Sequence, residues 1–360
     1  MNRIVRNTIW ALFVLLGQSS CSLNEKSILE VENLQGCLIS MDAQAEGTNL
    51  HIITDNIWFL NSFSNKYNYE VAKQVADSIQ VIRHSFYRGA GHGEYDNAVL
   101  ALSSDKSLYV LNCSSNGNKI YSLARIKSEK YTKGIYVPDD FYDLSRLPAL
   151  RYVVKNFVVQ SDSSIIICGA PYKHIDHIFS VINFKKSTLR TLNYWPEDKH
   201  HGDNLAKHSV YADNSCLFHT GNSYMYLCGW ERFAFIFTID KNNVEVEKEL
   251  FNDKLDYKEI ADGNYAPLKI SKQMLKMSAT SHRIYALMIE KNINGEEPKS
   301  YMDSQYGNEI QIYDWEGNLT RHIVLDKVGC NLKVTDDDKY LYLLSQDPKT
   351  RQNKIWKYTL

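Results

Sequence analysis

The chain of 360 residues lacks an excess of either charge, with 41 Lys and Arg against 42 Asp and Glu and a formal net charge of −1. It therefore carries no net field to gather nucleic acid, and no nucleic-acid partner is expected. Proline is scarce at 7 residues and glycine reaches only 17, which excludes a collagenous or low-complexity chain. The 7 cysteines include no Cys-x-x-Cys pair, so zinc-ribbon and thioredoxin-type chemistry has no foothold. No Gly-x-Ser-x-Gly elbow of a serine hydrolase occurs. Beyond residue 20 no apolar run is long enough to cross a bilayer as a helix.

What the chain has in abundance is tyrosine, 24 residues, and an apolar-aromatic strand signature that recurs six times. It reads Ile57-Trp58, Leu108-Tyr109, Ile166-Ile167, Met225-Tyr226, Ile284-Tyr285 and Leu341-Tyr342, with successive intervals of 51, 58, 59, 59 and 57 residues between the second positions. Turn-forming residues stand upstream, among them Asp55-Asn56, Asp105, Asp162-Ser163, Gly221-Asn222, Ser281-His282 and Asp336 to Asp338. A sheet that cannot bury both faces alone must stack on its neighbours, so this period predicts an all-β, six-bladed β-propeller of four-stranded antiparallel blades. The intervals put about 58 residues in each blade. A two-sheet sandwich array is the competing all-β reading, but six units of this length consume nearly the whole chain.

Further strands are expected at Asn118 to Tyr121, Ile178 to Asn183, Phe233 to Asp240, Glu309 to Trp315 and Asn353 to Trp356. Outer strands are expected at Thr188 to Tyr194, Val244 to Phe251 and Leu319 to Leu325. Tyr69 to Gln80 and Leu255 to Ile260 read as short helical turns, and Pro138 to Leu150 and Lys291 to Gly307 read as loop insertions.

At the N-terminus, Arg3 and Arg6 precede the apolar stretch Ile9 to Leu16, and Gly17-Gln18-Ser19-Ser20-Cys21 resembles a bacterial lipoprotein box. The expected organisation is a signal peptide over 1–20, a tether over 21–36 lipidated at Cys21, and the propeller over 37–360. An ordinary secretory signal with a chance cysteine is the alternative. Lipidation would hold a monomeric domain at the membrane. The residues after Cys21 carry few acids, which favours the periplasmic side of the outer membrane. The other six cysteines, Cys37, Cys113, Cys168, Cys216, Cys228 and Cys330, show no close-spaced framework and read mostly as small buried apolar residues rather than disulfides.

The segment Phe86-Tyr87-Arg88-Gly89-Ala90-Gly91-His92-Gly93-Glu94-Tyr95 lies at the exit of the first unit. With the lipobox and the six repeats, it resembles the Gly-x-Gly-Pro-Gly-Glu-Phe segment of TolB-like six-bladed propeller lipoproteins of Gram-negative anaerobes. His92 stands in place of the proline and Tyr95 in place of the phenylalanine. The resemblance implies a fold and an envelope location without an assured activity. Physically, the glycines expose amides that could cradle an anion beside Arg88, or they make a crossover needing positive φ that Glu94 or Arg88 fixes.

His174, His177, His200, His201, His208 and His219 cluster within one stretch. His200-His201-Gly202-Asp203 could hold a metal, although adjacent histidines in polar loops are commonly just solvated. Propeller ligands bind where the loops entering the inner strands meet those joining the middle strands. That mouth is expected to include Arg88 to Glu94, Lys173 to Asp176 and Trp230-Glu231-Arg232. The binding candidates are Arg88, Gly91, His92, Glu94, Trp230 and Arg232; Trp230 could instead pack between the fourth and fifth units. The expectation is an envelope-anchored lipoprotein presenting a binding surface to a protein or glycan, with no cofactor. The alternative is a hydrolase or lyase with a divalent metal in the channel, served by Asp55, Glu94 or Asp213.

Overall fold

The computed structural model describes residues 30–41, 50–54, 57–62, 64–89, 91, 93–115, 118–151, 154–198, 204–213, 215–229, 232–253, 256–260, 265–267, 274–299, 305–347, 349–350 and 352–360. Two short strands, β1 (Val31–Leu34) and β2 (Cys37–Met41), come first. An antiparallel meander follows, made of β3 (Leu50–Thr54), β4 (Ile57–Asn61), β5 (Tyr67–Val75) and β6 (Ser78–Tyr87). The next meander comprises β7 (Asn97–Leu102), β8 (Leu108–Cys113), β9 (Ile120–Ile126) and β10 (Asp140–Asp143), with the short helix α1 (Ser128–Tyr131) before its last strand. A third is β11 (Phe157–Val159), β12 (Ser164–Cys168), β13 (Phe179–Asn183) and β14 (Thr188–Thr191). Helix α2 (Asn204–Ala212) leads into the fourth, β15 (Cys216–Thr220), β16 (Ser223–Leu227), β17 (Phe233–Asp240) and β18 (Asn243–Asn252).

A small antiparallel pair, β19 (Tyr257–Glu259) and β20 (Tyr265–Pro267), precedes the fifth meander. That meander is β21 (Met274–Ala279), β22 (Ile284–Ile289), β23 (Gly307–Tyr313) and β24 (Leu319–Gly329). The chain closes with β25 (Asn331–Val334), β26 (Tyr340–Gln346) and β27 (Asn353–Thr359). These three strands receive β2 as a fourth, antiparallel to β27 from Cys37↔Lys357 to Ile39↔Ile355. Strand β2 also touches β6 in parallel at Ser40↔Ser78 and Met41↔Ile79, which joins the first and last groups into one eight-stranded sheet. Strand β1 adds a parallel fifth strand to β24, so the ordered sheet begins inside the segment assigned from sequence to the tether.

The recurring signature marks the second strand of each meander: Trp58 lies in β4, Tyr109 in β8, Ile167 in β12, Tyr226 in β16, Tyr285 in β22 and Tyr342 in β26. These strands are buried on both faces, all six residues of β22 for example, whereas the outer strand β18 is mostly exposed. Continuous apolar runs are what two-sided burial selects. Each core cluster joins two meanders. Phe59 and Val71 pack with Leu100 and Val110, Leu111 and Tyr109 with Ile165 and Phe184, and Ile166 and Phe179 with Tyr226 and Phe235. Met225 and Ile236 meet Met277 and Ala286, Leu287 and Ile310 meet Leu341 and Tyr358, and Leu344 and Ile355 return to Trp58 and Leu60 of the first meander.

Three local expectations are corrected. Tyr69 to Gln80 is not helical but forms the hairpin β5–β6, turning at Ala76 with φ 51°. Glu70, Ala72, Lys73 and Gln74 favour helix intrinsically, but pairing with β4 and β6 outweighs a propensity of a few tenths of a kcal/mol per residue, on the order of 0.5. The segment near 255–260 holds strand β19 instead of a helical turn. Within Pro138 to Leu150, β10 supplies the outer strand of the second meander. The six described cysteines are thiols outside any disulfide, with Cys113, Cys168 and Cys228 buried and Cys37 exposed. No helix among the described residues is long and apolar enough to cross a membrane.

Candidate functional site: the cavity beside the first crossover

The glycine-rich segment connects β6 to β7, and its own side chains hold it. Arg88 donates from Nε to the Ser64 carbonyl at 3.2 Å and from a guanidinium nitrogen to the Asp96 carbonyl at 3.1 Å. Asn68, 3 % exposed, donates to the carbonyls of Phe86 (2.9 Å) and Tyr95 (3.3 Å) and accepts from the Ala98 amide at 3.2 Å. Phe86 takes φ 59° yet is buried, edge-on to Tyr95 at 5.5 Å and to Tyr136 at 5.6 Å. Such a dihedral in an aromatic residue persists only where packing over-determines it.

The anion cradle expected from the glycines is filled from within. The Gly91 amide donates to Glu94 Oε2 at 2.8 Å while the Glu94 amide donates back to the Gly91 carbonyl at 3.1 Å. A Cβ on Gly89, whose φ is +157°, would lie 2.0 Å from Glu94 Oε2, and one on Gly91 would lie 2.9 Å from it. The two glycines therefore make room for the chain's own carboxylate, and both readings of the motif converge on a crossover fixed by Glu94 and Arg88. Gly93, at φ +80°, has open space around it.

Beside this loop lies a cavity of about 960 Å³, bounded by Gly91 and Glu94 on one side and by Asn112, Tyr121, Phe141 and Asp143 of the second meander on the other. Its lining combines apolar surface open to solvent, with Phe141 and Val137 each 64 % exposed, and a row of acceptors from Glu94, Asp96 and Asp143. Hydrogen bonds from the Ser145 hydroxyl and amide hold the Asp143 carboxyl below its ordinary value. Asp96 accepts from the Ser115 amide at 2.8 Å and its own amide donates to Asn112 Oδ1 at 3.0 Å. Tyr95 also lines the cavity, and burial pushes its hydroxyl up to about 12. The described lining contains neither Lys nor Arg.

Two further cavities are smaller. One of about 360 Å³ holds Arg88, Asn68 and Lys155; the other, of about 650 Å³, lies along Tyr172, Lys173, His174 and Arg190. Of the residues singled out from sequence, Gly91 and Glu94 share the large cavity, and Arg88 faces the neighbouring one. Arg232 is elsewhere, paired with Glu290 at the start of the β22–β23 connection, and its carbonyl accepts from the Asp253 amide at 2.9 Å. Asp213 caps the end of α2, its amide donating to the Ser209 carbonyl at 3.3 Å. Cys21, Asp55, His92, His200, His201, Asp203 and Trp230 fall outside the described residues. Sequence reasoning missed Asn68, Phe141 and Asp143, the last two because their segment reads as a loop.

No protein-family model and no curated protein sequence matches the chain. Solved structures do. A protein of Bacteroides fragilis NCTC 9343 named as an exported one aligns with a TM-score of 0.53 at 11 % identity, covering 94 % of this chain and 97 % of its own. The β-propeller domain of Cps50 (Swd1) from Myceliophteria thermophila aligns at 0.45 with 10 % identity, over 90 % of this chain and 99 % of its own. The WD40 repeats of RRP9 align at 0.45 with 11 % identity, over 92 % and 100 %. At these identities the likeness concerns the fold alone: this is an all-β chain, and two of the three aligned structures are named as a β-propeller domain and as WD40 repeats.

Proposed function

We propose that the chain is an envelope-tethered, six-bladed β-propeller of the TolB-like lipoprotein kind that binds a saccharide in the cavity beside its first crossover. Dividing the eight-stranded sheet at the two-residue contact between β2 and β6 leaves two four-stranded blades. With the other four meanders this makes six, and the core clusters pass from each blade to the next and from the last back to the first. Completion of the last blade by β2 is the closure such a ring needs, since a closed ring leaves no stack of blades with an uncovered face. The tether rests on the lipobox at Cys21, in keeping with an exported structural neighbour.

The observation that carries the ligand class is the cavity's composition. Exposed Phe141 and Val137 offer an apolar face, Glu94, Asp96 and Asp143 offer acceptors, and the described lining residues include no Lys or Arg to favour an anion. A pyranose ring matches this set, with C–H faces that stack on an aromatic ring and hydroxyls that donate to carboxylates. The volume of about 960 Å³ lies within the ~300–1,000 Å³ typical of small-ligand sites. A concave site of this size suits a glycan terminus better than a flat protein epitope.

The test is a glycan array probed with residues 22–360, followed by calorimetry of each hit against Phe141→Ala and Asp143→Asn. Losing one aromatic stack worth about 1.4 kcal/mol weakens binding about tenfold. An array without hits, or hits indifferent to both substitutions, would refute the proposal.

A further inference from the structure

We propose that His174, Asp176 and His177 form a divalent transition-metal site on the connection between β12 and β13. Among the described residues this is the one group of three metal-ligating side chains whose donor atoms all lie within 4.8 Å of one another. Its backbone is a 3₁₀ turn, Tyr172–His174, that starts after Pro171. The turn is fixed by the His174 amide on the Pro171 carbonyl at 2.8 Å and the His177 amide on the His174 carbonyl at 3.1 Å. A second anchor is the isolated bridge between Leu150 and Pro171. The donors are thus presented by a short, hydrogen-bonded segment.

The spacing suits an ion. His177 Nδ1 lies 2.9 Å from Asp176 Oδ1; two bonds of about 2.1 Å span about 3.0 Å at an octahedral right angle and about 3.4 Å at the tetrahedral angle, so the ion replaces this hydrogen bond with at most about 0.5 Å of opening. The His174 and His177 rings stand 6.1 Å apart at 86°, so their edges can address a common point without stacking. Imidazole with carboxylate selects zinc, nickel, cobalt or copper over calcium and magnesium. Three protein donors leave positions for water or an oxygen-donor ligand, as in sites that do more than brace a fold. His174 also borders the cavity of about 650 Å³ that holds Lys173 and Arg190, which gives such a ligand a place to sit. This site stands independently of the saccharide cavity.

The experiment uses tag-free protein of residues 22–360, titrated calorimetrically with Zn²⁺ and spectroscopically with Co²⁺, whose visible absorption reports coordination. Expected is one ion per chain and at least tenfold weaker binding in His174→Gln, Asp176→Asn and His177→Gln. Because His174 and Asp176 are exposed, their two variants should keep wild-type circular dichroism and carry the test independently of the half-buried His177, and His282→Gln, another exposed histidine, should bind as wild type. Wild-type affinity in the three site variants overturns the proposal. So does binding abolished instead by substituting His200 and His201, or an anomalous metal peak in the crystal away from this turn.

Discussion

Gly91 is small because Glu94 needs the space, and that claim can be tested by coupling the two positions. In Gly91→Ala the new Cβ would stand 2.9 Å from Glu94 Oε2, so the carboxylate must swing away and abandon the Gly91 amide it now meets at 2.8 Å. A hydrogen bond to a charged acceptor contributes about 1.5–3 kcal/mol when buried, and solvent exposure of this loop reduces that to about 1 kcal/mol. Glu94→Ala removes the same bond and costs about the same. In the double variant the clash has gone with the carboxylate, so the total stays near 1 kcal/mol instead of rising to about 2, a coupling of about 1 kcal/mol. Gly93→Ala is the control. It has open space but φ +80°, so it costs about 1 kcal/mol of backbone strain alone and adds fully to Glu94→Ala. Urea unfolding of residues 22–360 with a common m-value measures the wild type, the three single variants and the two double variants. Additive losses for Gly91→Ala and Glu94→Ala would refute the reasoning.

Other consequences follow from buried and shared groups. Asp338 accepts from Thr280 and Tyr285, each at 2.8 Å, and lies 3.1 Å from His282 Nδ1; Asp338→Ala is expected to cost about 3 kcal/mol in urea unfolding by stripping the joint between the fifth and last meanders, and a loss under about 1 kcal/mol counts against that role. His208 is fully buried, and burial, then the Arg151 charge, push its imidazole down to about 4, against an opposing hydrogen bond at His177. The folded state takes up this proton less readily than the unfolded state, so the stability is intact above about pH 6.5 and falls as pH drops toward 4, by up to about 3 kcal/mol. His208→Gln should flatten the profile in that window, and a profile unchanged by the substitution would contradict it. Of the six described thiols only Cys37 is exposed, so a thiol reagent should modify one cysteine rapidly in native residues 22–360 and reductant should leave Tm unchanged; a reductant-sensitive Tm would point to a disulfide.

The repeat was legible because the second strand of every meander is buried on both faces and therefore apolar without interruption, as in Ile57 to Leu60 and Ile284 to Ile289. First strands were less legible: β11 has only three residues, and β15 alternates buried Leu217 with half-buried Phe218 and His219. The hairpin β5–β6 escaped detection because its residues have helical propensity and only pairing with β4 makes them extended. Helix α2 buries Val210 and Tyr211, but it follows a polar histidine run that masks its onset. At the site, the glycines were readable as a special loop, since tight turns and close approach both demand them. That Glu94 fills the cradle was not readable, because a carboxylate three residues away has no sequence mark distinguishing a clamp from a ligand group. Phe141 and Asp143 join the cavity only through the pairing of β10 with β9, from Asp140↔Arg125 to Asp143↔Ser122, which no local pattern announces.

The central claim, a saccharide site between the glycine-rich crossover and β10, is tested most directly by a crystal structure of residues 22–360 soaked with the best glycan-array hit. The account predicts a sugar ring stacked on Phe141 with hydroxyls donating to Asp143 and Asp96. A sugar bound on another face, or none in this cavity at saturating concentration, would contradict it.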